Sequence, residues 1–243
     1  MDVILEAVRE AARLIASGDP YLLGVLALSL QVSGVATLVG AAVGIPVGIT
    51  VALTRFPGRG LAVTLIHTGF ALPPVAVGLA VYLLLSRTGP FGSLAMLYSP
   101  GAMIAAQVVI AAPYVAGITL AAVQAVPDDA RLQARALGAS RARALAAHLR
   151  EARLGIGAAV VAGFGSVFSE VGAVMIVGGN ISEETRVLTT AIVLETRRGN
   201  FAIAIALALL LLAIAFAVNL LITRFQQGRV SPGPAAARAP SPP

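Results

Sequence analysis

The chain has 243 residues, 58% of them apolar and only 12% charged, with a mean hydropathy of +0.92. Water-soluble domains carry about a quarter charged residues, so this composition excludes one. The net charge is +6, there is no cysteine, and all 17 basic residues are arginine; this excludes disulfide frameworks, thiolate metal sites and a lysine-bearing phosphate loop.

The first nineteen residues lack the basic start and uninterrupted apolar core of a cleavable signal peptide. Val3, Ile4, Val8, Ala11, Ala12 and Ile15 recur at helical spacing against Glu6, Glu10 and Arg13. That pattern predicts a short amphipathic helix over 1–19, lying along a membrane surface. Five apolar runs then approach or exceed the ~20 residues that cross a bilayer: Leu22–Leu53, Leu61–Leu85, Ala102–Val126, Leu154–Val177 and Phe201–Ile222. The predicted fold is one all-α transmembrane domain of five spans over 20–226. Residues 227–243, rich in Pro, Ala and Ser with no apolar face, read as a disordered tail.

As an α-helix, the first run would measure ~48 Å against a hydrocarbon core of ~30 Å. Pro46 removes a backbone donor inside it and is expected to break or kink the helix. Ser29, Ser33 and Thr37 put hydroxyls in its outer half, either as bridges between helices or as lining of a pathway. The second run carries His67 and the pair Pro73-Pro74, a second expected break. Glycines at 155, 157, 163, 165 and 172 thin the surface of the fourth run, so that another helix can approach closely. Ser169-Glu170 places an ionisable group inside this run, and Gly178-Gly179-Asn180 ends it. Glu170 is open to two readings: a group of the pathway, or a carboxylate that accepts hydrogen bonds from a helix start or an arginine. Ser166 and Ser169, with the amides of 178–180, join Ser29, Ser33 and Thr37 as candidate pathway groups for an anion.

Between the third and fourth runs lies a polar island, Pro127–Arg153, with arginines at 131, 135, 141, 143, 150 and 153. A helix connection needs about 2–8 residues, so this one is long enough to serve as a handle for a soluble partner. Placing it in the cytoplasm and alternating the spans puts eleven arginines inside and six outside. The positive-inside rule then predicts the amino terminus out and the carboxyl terminus in, and accounts for the basic charge without nucleic acid. Three readings remain open on the residues alone: a membrane subunit driven by a separate soluble partner, an ion- or proton-coupled carrier using Glu170 and His67, and a structural membrane-assembly factor. The chain shows no enzyme signature: no metal-ligand cluster, nucleophile–base pair or cofactor fingerprint.

The island resembles the cytoplasmic coupling loop of type I ABC importer permeases, with Gly138-Ala139-Ser140 at the centre of that motif. It departs where Leu132-Gln133 replaces the leading Glu-Ala, leaving only Ala134 in agreement, and where Arg150-Glu151 replaces the closing Leu-Pro. The ordered series ALPPVAVG (71–78), GFG (163–165), SEVGAVM (169–175), GGN (178–180) and TRVLTTAIVLET (185–196) is similar to tungstate-type permeases, relatives of the molybdate and sulfate permeases. The resemblance covers roughly Tyr21 to Phe225. It implies a homodimer in a bacterial or archaeal cytoplasmic (inner) membrane, with no cofactor in this chain and ATP-Mg bound by a partner subunit. An ABC ATP-binding subunit would dock on Asp128, Leu132, Ala134, Leu137, Gly138, Ala139, Ser140, Arg141 and Leu145. A periplasmic or extracellular solute-binding protein would deliver an oxyanion, tungstate first and molybdate next.

Overall fold

The computed structural model describes residues 2–227, apart from the side chains of 2–4, 128, 130, 131, 134, 222 and 225–227. The expected tail thus lies outside the described residues, save for Gln227 at the end of the last helix. Among the described residues there are ten α-helices: α1 (Asp2–Ser17), α2 (Pro20–Leu53), α3 (Arg59–Phe70), α4 (Pro74–Leu85), α5 (Pro100–Gln124), α6 (Asp128–Ala136), α7 (Arg141–Phe168), α8 (Gly172–Gly178), α9 (Leu188–Arg197) and α10 (Phe201–Gln227). Four helices are long and apolar enough to cross a membrane alone, and α3 with α4 passes the same test as a bent pair.

Local chemistry explains the boundaries. Pro20 occupies the first turn of α2, where its missing N–H costs nothing, and the Asp19 carboxylate accepts from the amides of Tyr21 and Leu22 at 3.0 and 3.1 Å. Pro46 does not end α2, contrary to the expected break. One face of the helix is pressed too closely on α5 to part from it there: a Cβ on Gly44 would fall 2.7 Å from the Ala112 carbonyl oxygen, and one on Gly48 2.5 Å from that of Ala116. Small residues one turn apart let the two backbones approach, the packing that takes the place of hydrophobic driving force in lipid. At Pro73-Pro74 the outcome is different. Pro73 precedes α4, Pro74 opens it, and the axes of α3 and α4 meet at 102°.

The α2–α5 seam also settles the path of the chain. Gly40 meets Ala111, Gly44 meets Ala112 and Gly48 meets Ala116, so the two helices run parallel. Between them the chain must return from one end of the bundle to the other. Arg59, at the start of α3, donates from Nε to the Val51 carbonyl at 2.9 Å. Leu85, at the end of α4, packs in the same core as Ala102, Val174 and Val177. The bent pair is therefore one crossing, and the bundle has five. α7 runs antiparallel to α5, with His148 near Val123, Gly163 near Val115 and Val167 near Gln107. Consequently the α6 loop and the start of α2 lie at opposite ends. We call them the loop end and the far end.

The apolar face of α1 packs into the bundle. Ala11 is fully buried, and Leu14 and Ile15 lie against the cluster containing Leu22, Phe168, Ala206 and Leu207. Its polar face, with Glu10 and Arg13 paired at 3.3 Å, stays exposed.

Candidate docking loop and translocation segments

The loop end is built around a glycine turn. Pro127 caps α6, whose last carbonyls accept from Leu137 N (to Gln133) and Gly138 N (to Arg135), both at 3.0 Å. Gly138 follows at φ +85°, a left-handed conformation that side chains rarely adopt, although open space surrounds the position of its absent Cβ. Ser140 then caps α7, its Oγ accepting from Arg143 N at 3.3 Å. Arg141 is already helical, so the second half of the island is the first part of a membrane-crossing helix. Ala144, His148 and Ala152 form its buried stripe, four residues apart.

α6 packs against α7 and turns apolar groups outward. Leu137 is 88% exposed and Leu132 59%, with Leu145 exposed beside them and Leu149 half-buried. Arg135, Arg141 and Arg143 of the same loop are exposed too, while Ala139 is half-buried. Burying a leucine is worth ~1.5–3 kcal/mol. Two such side chains stand exposed at the tip of this basic loop, which makes it the candidate docking surface. Asp128 and Ala134 belong to α6, but their side chains lie outside the described set.

The fourth run is interrupted earlier than expected. α7 ends at Phe168, and the chain passes through Ser169, Glu170 and Val171 before α8 begins. Glu170 is buried, and its carboxylate oxygens accept from Ala173 N at 3.0 and 3.1 Å and from Val174 N at 3.3 Å. A carboxylate placed there satisfies amides left free at a helix start and complements its dipole. Side chains from other helices serve the carbonyls of the break: Gln107 Nε2 donates to Val167 O at 3.0 Å, and Thr189 Oγ1 donates to Glu170 O at 2.8 Å. Of the two readings of Glu170, hydrogen bonding to a helix start is the one found. Neither Gln107 nor Thr189 was singled out in the sequence. Gln107 had a signal, a buried amide within an otherwise apolar span; Thr189 had none.

The candidate pathway groups fall into two sets. Ser29, Ser33 and Thr37 are buried along one stripe of α2. Ser29 Oγ accepts from Leu188 N and donates to Val25 O, both at 2.7 Å, and so ties α9 to α2. Thr37 Oγ1 donates to Ser33 O at 2.7 Å. The second set is more exposed, apart from Gly178. Ser166 is half-buried and Ser169 exposed, each bonded one turn back, to Gly163 O and Gly165 O at 2.8 Å. Gly178 is buried, Gly179 is exposed at φ +70°, and Asn180 is half-buried at φ +54° with its Oδ1 unpartnered. His67 is exposed on α3, edge-on to Phe70.

Five apolar crossings, a bent second span, a broken fourth and an exposed loop at one end describe a multi-pass membrane protein. The family model for the "binding-protein-dependent transport system inner membrane component" matches residues 44–230. The chain belongs to this family: it is the membrane-spanning permease of an ABC-type importer. It is 43% identical over 211 residues to a probable anion ABC transporter permease protein of Haloferax volcanii, covering 85% of this chain and 91% of that one. It is 39% identical over 227 residues to the tungstate uptake system permease protein of Peptoclostridium acidaminophilum, covering 93% and 100%. Its fold matches the crystal structure of an amino acid ABC transporter, with a TM-score of 0.67 at 19% identity over 88% of this chain and 96% of that one. An inward-facing methionine ABC transporter gives 0.69 at 18% identity, over 86% and 95%. These findings displace the carrier reading, since Glu170 is engaged in capping α8 and the family is that of ATP-driven importers.

Proposed function

We propose that two copies of this chain form the transmembrane pathway for a tetrahedral oxyanion, tungstate first and molybdate next. The observation that carries the coupling role is the α6–Gly138 turn, with Leu132 and Leu137 exposed at the loop end. An ABC ATP-binding subunit docks there, burying the leucines in a cleft and pairing its rim with Arg135, Arg141 and Arg143. ATP-Mg is bound and hydrolysed by that subunit, because this chain contains no lysine with which to build a phosphate loop. The relatives' names, tungstate and anion permeases over nearly the full chain, support the oxyanion.

The loop end faces the cytoplasm, which gives amino terminus out and carboxyl terminus in, and the lipid bilayer surrounds the five crossings. A solute-binding protein meets the far end. Closure of the ATPase pair pushes α6 and with it α7, a rigid helix that continues to the break at Ser169–Val171. A dianion sheds water along the path, and hydroxyls and free amides replace that water at low cost. Ser166, Ser169, Gly179 and Asn180, which are exposed or half-buried, are the candidates for that task, whereas Gly178 is buried. The first set suits packing within a protomer, since Ser29, Ser33 and Thr37 are buried and Ser29 fastens α2 to Leu188 of α9.

The test is ATP hydrolysis in proteoliposomes holding this chain with its ATP-binding and solute-binding partners. Stimulation by tungstate or molybdate only with the complete set is the expected result. Failure of this chain to bind an ATPase subunit would overturn the proposal.

A further inference from the structure

At the far end, a cavity of about 510 Å³ opens between the start of α2 and the segment that joins α8 to α9. Tyr21, Gly24 and Leu28 line one wall, Glu183 and Arg186 the other. Arg186 is half-buried, and its spare hydrogen-bonding capacity is large. Nη1 donates to Ser182 Oγ and Nη2 to the Asn180 carbonyl, both at a long 3.3 Å, while Nε is buried without a partner. Both acceptors are neutral. Among the described residues no carboxylate lies within ion-pair distance of this guanidinium. A guanidinium has five donors in a planar fork, and a partly buried cation is stabilised only when an anion or several acceptors face it.

The segment holds the arginine in place. Thr185 Oγ1 donates to Gly178 O at 2.6 Å and accepts from Ile181 N at 2.9 Å, while the amides of Thr185 and Arg186 both donate to Ile181 O. One residue beyond Val187, the Leu188–Ser29 bond fastens the same segment to α2. The guanidinium rests 6.0 Å from the Tyr21 ring centroid. The arrangement is a prepared cation with unspent donors beside a space large enough for several waters.

We propose that this cavity is an oxyanion station, in which Arg186 contacts the anion after its release at the far end and before it enters the path between protomers. The inference rests on the permease reading above and adds a site to it. Glu183, on the same rim, opposes an anion and keeps the station weak. A conduction site requires this, since tight binding would trap the ion. The alternative occupant of Arg186 is an acidic side chain of the binding protein.

The chain's lack of cysteine allows a direct test. A Cβ on Gly24 would meet nothing within 4 Å, so Gly24→Cys places a single thiol in the cavity wall. Its alkylation by N-ethylmaleimide is followed by mass on this chain, in the complex with its ATP-binding subunit but without binding protein. Millimolar molybdate or tungstate is expected to slow labelling several-fold, and chloride at equal ionic strength is not. Adding Arg186→Gln should abolish the protection, while Arg186→Lys, which keeps the charge but loses the fork, should retain part of it. Absence of protection, or protection equal in Arg186→Gln, overturns the inference. So does unchanged protection together with lost stimulation by the binding protein, which would make Arg186 a docking residue. Oxyanion-stimulated ATP hydrolysis, measured on the same preparation with binding protein restored, separates the readings. If stimulation persists but protection does not depend on Arg186, only the station fails; if stimulation is absent altogether, the permease reading fails.

Discussion

The α2–α5 seam and the α6 turn are both marked by glycine, and for opposite reasons. In the seam, Gly44 and Gly48 are required by space, since added Cβ atoms would meet backbone carbonyls of α5. At the turn, Gly138 has open space around it and is required by its φ of +85°. One region is a close joint between two parallel spans, and the other an exposed turn between two helices. The proposed function uses both, the seam as frame and the turn as the docking point.

Breaking the seam has the largest expected effect. Gly48→Val forces a branched side chain against the Ala116 carbonyl, and overpacking costs about 1–3 kcal/mol even where neighbours can relax. Against the backbone of α5, the expected outcome is loss of folded protein, read as the monodisperse fraction in detergent. Next is Glu170→Ala, which leaves the amides of Ala173 and Val174 buried without their acceptor, at about 1–3 kcal/mol for each. A clear fall in thermal stability is expected, whereas Glu170→Gln, keeping one acceptor oxygen, retains assembly and part of the transport. Complete loss of transport in a stably folded Glu170→Gln would instead make the carboxylate part of the pathway.

The turn should respond the other way. Gly138→Val costs about 1–3 kcal/mol of local strain at a left-handed position, confined to the loop. The bundle should stay folded while oxyanion-stimulated ATP hydrolysis drops. Gly138→Asp, introducing a carboxylate beside the arginines, should likewise insert normally and uncouple; normal uptake by it would contradict the docking role. The smallest effect on stability belongs to Leu137→Ala, within about 0.5 kcal/mol for a side chain 88% exposed. Its affinity for the ATP-binding subunit should nevertheless fall roughly tenfold, the weight of one buried leucine at an interface.

The same contrast explains what the sequence disclosed. The spans, the polar island and the Gly138 turn are local: apolar length, charge and one glycine near a helix end declare them. The family likeness carried by ALPPVAVG, SEVGAVM and GGN led to the permease family that the comparison found. The continuity of α2 through Pro46 was not legible, because it goes with close packing on α5, a helix far along the chain. Nor was the break before α8, which depends on Gln107 and Thr189 reaching in from α5 and α9. Ser29, Ser33 and Thr37 recur every four residues, so their shared stripe was visible. That the stripe faces neighbouring helices of the same chain was not. His148 escaped notice because its place on a buried stripe with Ala144 and Ala152 shows only once α7 packs beside Val123. Arg186 looked like one charge among several in an outer segment. Its unspent donors appear only when the hydrogen bonds of residues 178–186 are drawn.

The central claim is that the tip of the α6 turn engages the ATPase. The most direct measurement is disulfide cross-linking of Leu137→Cys to a cysteine introduced in the ATP-binding subunit, with Ser182→Cys at the far end as control. Both positions are exposed, and no native thiol of this chain interferes. The account predicts a cross-link at 137 whose yield changes when ATP is added, and none at 182. An assembled, ATP-hydrolysing complex that forms no cross-link at 137 with cysteines placed across the subunit's membrane-facing surface would contradict it.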